Sequence, residues 1–242
     1  MNVLCYRMAA INSKGTNLNF KYGRMEFEAK LPKGDWLVPF VELYPEDNFY
    51  GSDWPKSGIF QAFKFSGNQG YDCGWTDYGR KCGRSKMFYG VGSGGFSDPG
   101  DWMCGSNDLS DDFHKYKIIW DQTKIQTFVE DQLIFEKSFP AGGLCGQESW
   151  CNNGNNPYKS GGRSAPFDRN FYLKIGMMVG GGTSFFPDNC DNLSGQSKPW
   201  TGNGTPRQFW WGGRPNYNDD RDSFETWSDP VFKIKEIVVY NE

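Results

Sequence analysis

Arg24-Met25-Glu26-Phe27-Glu28-Ala29-Lys30-Leu31 sets an apolar side chain at every second position and a charged one between. Successive side chains of a strand point to opposite faces, so this alternation predicts a strand with one face on a core and one in water. A one-sided strand of this kind belongs to an antiparallel sheet. The same period runs through Tyr116, Ile118 and Trp120, and through Phe171, Leu173, Ile175, Met177 and Val179; another strand closes the chain at Ile234 to Tyr240. Turn chemistry separates them at Lys33-Gly34-Asp35, Asp121-Gln122-Thr123-Lys124 and Gly180-Gly181-Gly182. No segment of ten or more residues combines a helical period with caps. The expectation is an all-β fold, two stacked antiparallel sheets.

The length of 242 residues fits one domain, 1-242, since β-sandwiches reach this size. Twenty Phe, 12 Tyr and 10 Trp supply bulk for the core and leave some for a surface. The net charge of −3 is interspersed, which argues against nucleic acid or an anionic membrane as partner. Apolar runs such as Val38 to Val41 are too short to span a bilayer. Seven cysteines point to an oxidising compartment. Cys73 and Cys82 flank one short loop and Cys145 and Cys151 another, and both read as local staples; Cys5, Cys104 and Cys190 remain, with connectivity open. Without a Cys-x-x-Cys and with one histidine, His114, disulfides outweigh a metal, and no cofactor is implied. Asn192-Leu-Ser and Asn203-Gly-Thr are glycosylation sequons if the chain is secreted. Its first residues hold no signal-peptide apolar run, so the expectation is that the native start is missing and an unpaired edge is left. Polar, aromatic stretches at 145–163 and 187–217 are expected as long loops at the sheet ends or over a concave face.

Four segments, in order, carry a resemblance. Phe20-Lys-Tyr-Gly-Arg-Met-Glu-Phe-Glu-Ala-Lys-Leu-Pro-Lys-Gly-Asp-Trp36 comes first, then Trp54-Pro-Lys-Ser-Gly58, then Phe113-His-Lys-Tyr-Lys-Ile-Ile-Trp120. Ala165-Pro-Phe-Asp-Arg-Asn-Phe-Tyr follows, with Val179-Gly-Gly-Gly and Phe186-Pro-Asp188. Together they resemble glycoside hydrolase family 16, in its animal β-1,3-glucan recognition branch, from about Arg7 to Tyr240. The resemblance implies a concanavalin A-like jelly roll with a concave carbohydrate-binding face. It implies a secreted protein of innate immune pattern recognition that binds β-1,3-glucan or a related polysaccharide, with immune serine proteases as further partners. The family's first strands, and the branch's separate N-terminal glucan-binding module, have no counterpart here.

In active members Trp-Pro-x-Ser-Gly is followed by Glu-Ile-Asp-x-x-Glu, where the first Glu is nucleophile, the last is acid/base and the Asp tunes them. Here the strand reads Gly58-Ile59-Phe60-Gln61-Ala62-Phe63-Lys64-Phe65. A bulge before the last position puts Ile59, Gln61 and Lys64 on the cleft face, and Phe60, Phe63 and Phe65 in the core. Ile59 forms no glycosyl ester, Gln61 does not ionise and Lys64 has the wrong charge. Retaining hydrolysis needs two carboxyl groups, so the expectation is a pseudoenzyme. The alternative is a β-1,3-glucanase working through displaced acids such as Glu42, Asp53 or Asp188.

The amide of Gln61 favours a sugar contact over a merely solvated position, and for Lys64 the two readings balance. A structural role outweighs a functional one for His114, and core packing does so for Trp36, Trp120 and Trp227. Trp54, Trp102, Trp200, Trp210, Trp211 and Tyr217 lie in polar, Gly-rich sequence. Their flat faces suit pyranose rings, with some reserved for covering the core. Val38 and Glu42 stand where the family has tryptophans, which alters the expected subsites.

Overall fold

The computed structural model describes residues 7–151, 154–202 and 226–241. In chain order the first strands are β1 (Arg7–Asn12), β2 (Gly23–Lys30), β3 (Leu37–Pro45), β4 (Ile59–Phe65), β5 (Tyr71–Asp72), β6 (Cys82–Gly90) and β7 (Phe96–Ser97). They are followed by β8 (Gly100–Cys104), β9 (His114–Trp120), β10 (Lys124–Val129), β11 (Gln132–Ser138), β12 (Phe171–Val179), β13 (Asp191–Asn192) and β14 (Lys233–Tyr240). One sheet runs β1-β12-β3-β4-β6-β7, with β8 also on β6; the other runs β11-β10-β9-β2-β14. β5 and β13 form a small ribbon. All the pairings are antiparallel, as the alternation requires. No helix among the described residues is long and apolar enough to cross a membrane.

The inner faces of the two sheets meet in one cluster. Met25, Phe27 and Ala29 of β2 and Tyr116, Ile118 and Trp120 of β9 face Val41, Leu43, Phe60, Phe63, Phe65 and Met87. Phe27 stacks on Tyr116 at 5.0 Å, and Phe63 closes on both edge-on at 5.6 and 5.4 Å. Edge-on and offset pairs add about 0.5–1.5 kcal/mol each beyond burial. A polar tie crosses the same layer, where the Ser85 hydroxyl of β6 meets Thr127 of β10 at 2.8 Å, both fully buried.

A second cluster lies on the outer side of the longer sheet, around Trp36, Phe40, Tyr71, Tyr78, Phe185, Phe186 and Trp200. It departs from simple alternation. Leu37 to Leu43 of β3 are all buried, and in β12 both Met178 and Val179 are. At this end the strands have a hydrophobic layer on each face, so a period of two has no exposed side to reveal. Trp36 and Trp120 are core as expected, whereas Trp200, counted among the loop aromatics, is buried at 2% exposure.

Six cysteines are paired, as Cys73–Cys190, Cys82–Cys104 and Cys145–Cys151. Only the last is the local staple read from spacing. Cys73 and Cys82 do not join each other, because Asp72↔Asp191 and Cys82↔Cys104 are register pairs that set each beside a different partner. Cys5 lies outside the described residues.

Candidate functional site

β4 has the expected bulge. Gln61 pairs with Lys86 and Lys64 with Arg84, so Ala62 and Phe63 together oppose Ser85. On the other side Glu42 pairs with Gln61 and Val41 with Phe63, which leaves Ala62 as the extra residue. A bulge frees a carbonyl from the ladder, and the Ser85 hydroxyl donates to that of Ala62. The consequence is the predicted facing. Phe60, Phe63 and Phe65 are at most 3% exposed in the core, and Gln61 and Lys64 share the opposite, outer face.

Register then fixes what crosses that face. One row reads Lys174 (β12), Glu42 (β3), Gln61 (β4), Lys86 (β6). The next reads Gly176, Phe40, Lys64, Arg84 and Trp102 (β8). The first row is wired by hydrogen bonds. Tyr44 OH donates to Glu42 Oε2 at 3.0 Å and Gln61 Nε2 to Glu42 Oε1 at 2.8 Å. Arg84 Nη2 reaches Gln61 Oε1 at 3.4 Å, and its Nη1 donates to Ser184 O at 3.0 Å. Burial, with the Glu42 charge beside it, pushes the Tyr44 phenol up. Burial lowers the Arg84 guanidinium to about 10 despite Tyr78 and Asp98. Lys86 is paired to Asp98 at 2.5 Å.

The second row is roofed. The segment after β12, Gly180 to Phe186, folds back so that the Phe185 ring lies 4.6 Å from the Lys64 ammonium and 5.4 Å from the Arg84 guanidinium. Lys64, expected to open on the cleft, is therefore only 3% exposed, and the expectation is corrected: an aliphatic stem and a ring-capped cation fill that floor. Arg84 and Phe185 were both missed in the sequence. Arg84 had a signal, because Arg84, Lys86 and Phe88 alternate with inward Ser85, Met87 and Tyr89.

Trp54 precedes β4 and stays 41% exposed, its ring 5.7 Å from Phe88 and 5.1 Å from Phe96. These rings form an aromatic shelf beside the polar row. Trp102 sits at the other flank, 4.4 Å from Tyr78 and 5.4 Å from Phe185. His114 is not near this face. It lies on β9, in the opposite sheet, with Nδ1 3.0 Å from Glu130 Oε1, because the motif strand that carries it pairs with β2. Trp210, Trp211, Tyr217 and Asn203 lie outside the described residues.

Asn192 of the first sequon is tied into the fold by its side-chain amide. Its Nδ2 donates to Asp35 Oδ2 and to Gln196 O, both at 2.8 Å, and its Oδ1 accepts from Asn68 at 3.3 Å. The sequon is recognisable in sequence, but folding commits that amide to a buried carboxylate. Among the described residues no group of three or more His, Cys, Asp or Glu is placed to hold a metal.

No family model matches the chain. A β-1,3-glucan-binding protein of Penaeus monodon is 30% identical over 208 residues, which is 84% of this chain and 53% of that protein. One from Tenebrio molitor is 35% identical over 201 residues, 81% of this chain and 38% of that protein. The chain thus spans about half or less of these relatives. Among solved structures, a glycoside hydrolase family 16 endo-glucanase from Bacteroides ovatus superposes with a TM-score of 0.54 at 21% identity, over 78% of this chain and 66% of that one.

Proposed function

This chain belongs by sequence with the animal β-1,3-glucan-binding proteins and has the fold of glycoside hydrolase family 16, and from that premise we propose that it binds β-1,3-glucan or a related polysaccharide on the outer, concave face of its longer sheet without cleaving it. One observation carries the reading. The bulged β4 keeps the geometry that presents a catalytic strand, yet the side chains presented are Ile59, Gln61 and Lys64. Retaining hydrolysis requires two carboxyl groups ~5–5.5 Å apart, one ionised and one protonated. Glu42 is the acid in the polar row, and Gln61 and Tyr44 occupy its two oxygens. Asp53 is paired to Lys56 at 2.7 Å and Asp188 to Lys198, which supports a reading without a displaced catalytic pair. Loss of general acid catalysis alone costs about 10²–10⁴-fold in rate.

Binding needs less. The Trp54 shelf offers an exposed, flat apolar face, whereas Gln61, expected as a sugar contact, is 6% exposed with its amide held by Glu42 and Arg84. Three disulfides suit a secreted protein, and the role proposed is pattern recognition in innate immunity, with immune serine proteases downstream. The test is capture on curdlan and affinity for laminarin, measured beside reducing-sugar release. Binding with no release above a blank is expected, and Trp54→Ala is expected to weaken binding with an unchanged melting temperature. Hydrolysis by the unmodified chain, or no binding to either glucan, sinks the proposal.

A further inference from the structure

We infer that Trp75 is an outer stacking platform for sugar rings of a polysaccharide that runs beyond the concave face, an inference that rests on the glycan-binding reading above. At 71% exposure it is the most exposed aromatic side chain among the described residues. Its indole presents a flat apolar face to solvent. It is also held in place. Cys73 is tied to Cys190, Cys73 N donates to Thr76 O at 3.1 Å, and Gly74 N donates to Asp72 Oδ1 at 2.7 Å. The loop closes on Asp77, whose Oδ1 accepts from Tyr71 N at 2.8 Å and Gly79 N at 2.7 Å. A platform ordered before binding loses little entropy on contact.

The rings beside it give the direction. Trp75 stands edge-on to Tyr78 at 5.5 Å, Tyr78 edge-on to Trp102 at 4.4 Å, and Trp102 is in register with Arg84 on the concave face. Tyr78 is buried at 3%, so the exposed Trp75 and the half-buried Trp102 stand on either side of a packed ring, and Trp102 borders the polar groups where Arg84 meets Gln61. Two indoles with accessible surface, Trp75 and Trp102, spaced across a buried ring suit an extended carbohydrate, whose rings have apolar faces and polar edges. A buried protein hot spot would instead sit in a desolvated pocket.

The experiment compares laminarin with laminaritriose on the unmodified chain, Trp75→Ala, Trp75→Gln and Trp75→Tyr. An outer platform touches only the longer ligand. Trp75→Ala and Trp75→Gln are expected to weaken laminarin binding roughly 2- to 12-fold, leave laminaritriose unchanged and melt like the parent, and Trp75→Tyr to recover most of the loss. Unchanged laminarin affinity in both Ala and Gln variants overturns the inference, and so does an equal loss on both ligands. An unmodified chain that binds neither ligand refutes the glycan reading itself, a result separate from any variant.

Discussion

Truncating Phe185 tests the roof over Lys64 and Arg84. The ring is 2% exposed and meets four neighbours: Lys64 at 4.6 Å, Arg84 at 5.4 Å, Trp102 at 5.4 Å and Phe186 at 5.0 Å. Phe→Ala at such a site costs about 3–5 kcal/mol in a rigid core. Here the segment hangs from Gly180-Gly181-Gly182 and can settle inward, so Phe185→Ala is placed at the lower end, about 3 kcal/mol. For a domain of this size that lowers the melting temperature by roughly 6–12 °C. Calorimetry reads the shift, and amine acetylation followed by mass spectrometry reads Lys64 against exposed Lys159. Lys64 is expected to be protected in the parent and to label in Phe185→Ala under native conditions. A shift below 1 °C, or a Lys64 that labels as fast as Lys159 in the parent, refutes the roof.

Replacing both Cys73 and Cys190 by Ser opens a closed loop of sequence separation 117, so a loss of about 2–5 kcal/mol is expected in denaturant unfolding, near the upper end on chain entropy alone. Peptide mapping of secreted material is expected to find Asn192 unmodified, and Asn192→Ala to cost about 1–3 kcal/mol, because Asp35, 2% exposed, loses a donor. Burial raises the Asp108 carboxyl, but the Ser110 hydroxyl and amide and the Arg80 charge outweigh it, so its folded pKa is depressed. Its stabilisation is then present above the unfolded value of about 3.9 and lost as pH falls through the folded value; Asp108→Asn is expected to flatten that acid limb in melts from pH 6 to pH 2.

Strand alternation is a local property, and where a strand had one wet face it was readable residue by residue. Met25, Phe27 and Ala29 went in, and Glu26 and Glu28 stayed out. The bulge was legible too, because the Phe spacing in 60–65 demands one extra residue at Ala62. The misreadings share a cause. Lys64 takes its side of the strand from the local pattern, but the loop that folds over it comes from a distant segment. Spacing favoured Cys73 with Cys82, whereas strand register joined each to a residue from elsewhere in the chain.

Ile59, Gln61 and Lys64 stand in the sequence itself, so the lack of acids at those positions was determined before any folding, as were the all-β class and the facing of β4. Only the tertiary structure decided that Glu42 is held by Gln61 and Tyr44, that Phe185 roofs Lys64, that Asn192 is spent on Asp35, and that Trp75 stands in water at the end of a line of rings. The division is physical. A side chain's charge and the face it takes on a strand follow from its own identity and its neighbours a few residues away. Whether it is covered depends on groups brought to it by strand pairing and loop packing, some, like Asp35 beside Asn192, from more than a hundred residues away, and nothing in the local pattern encodes their arrival.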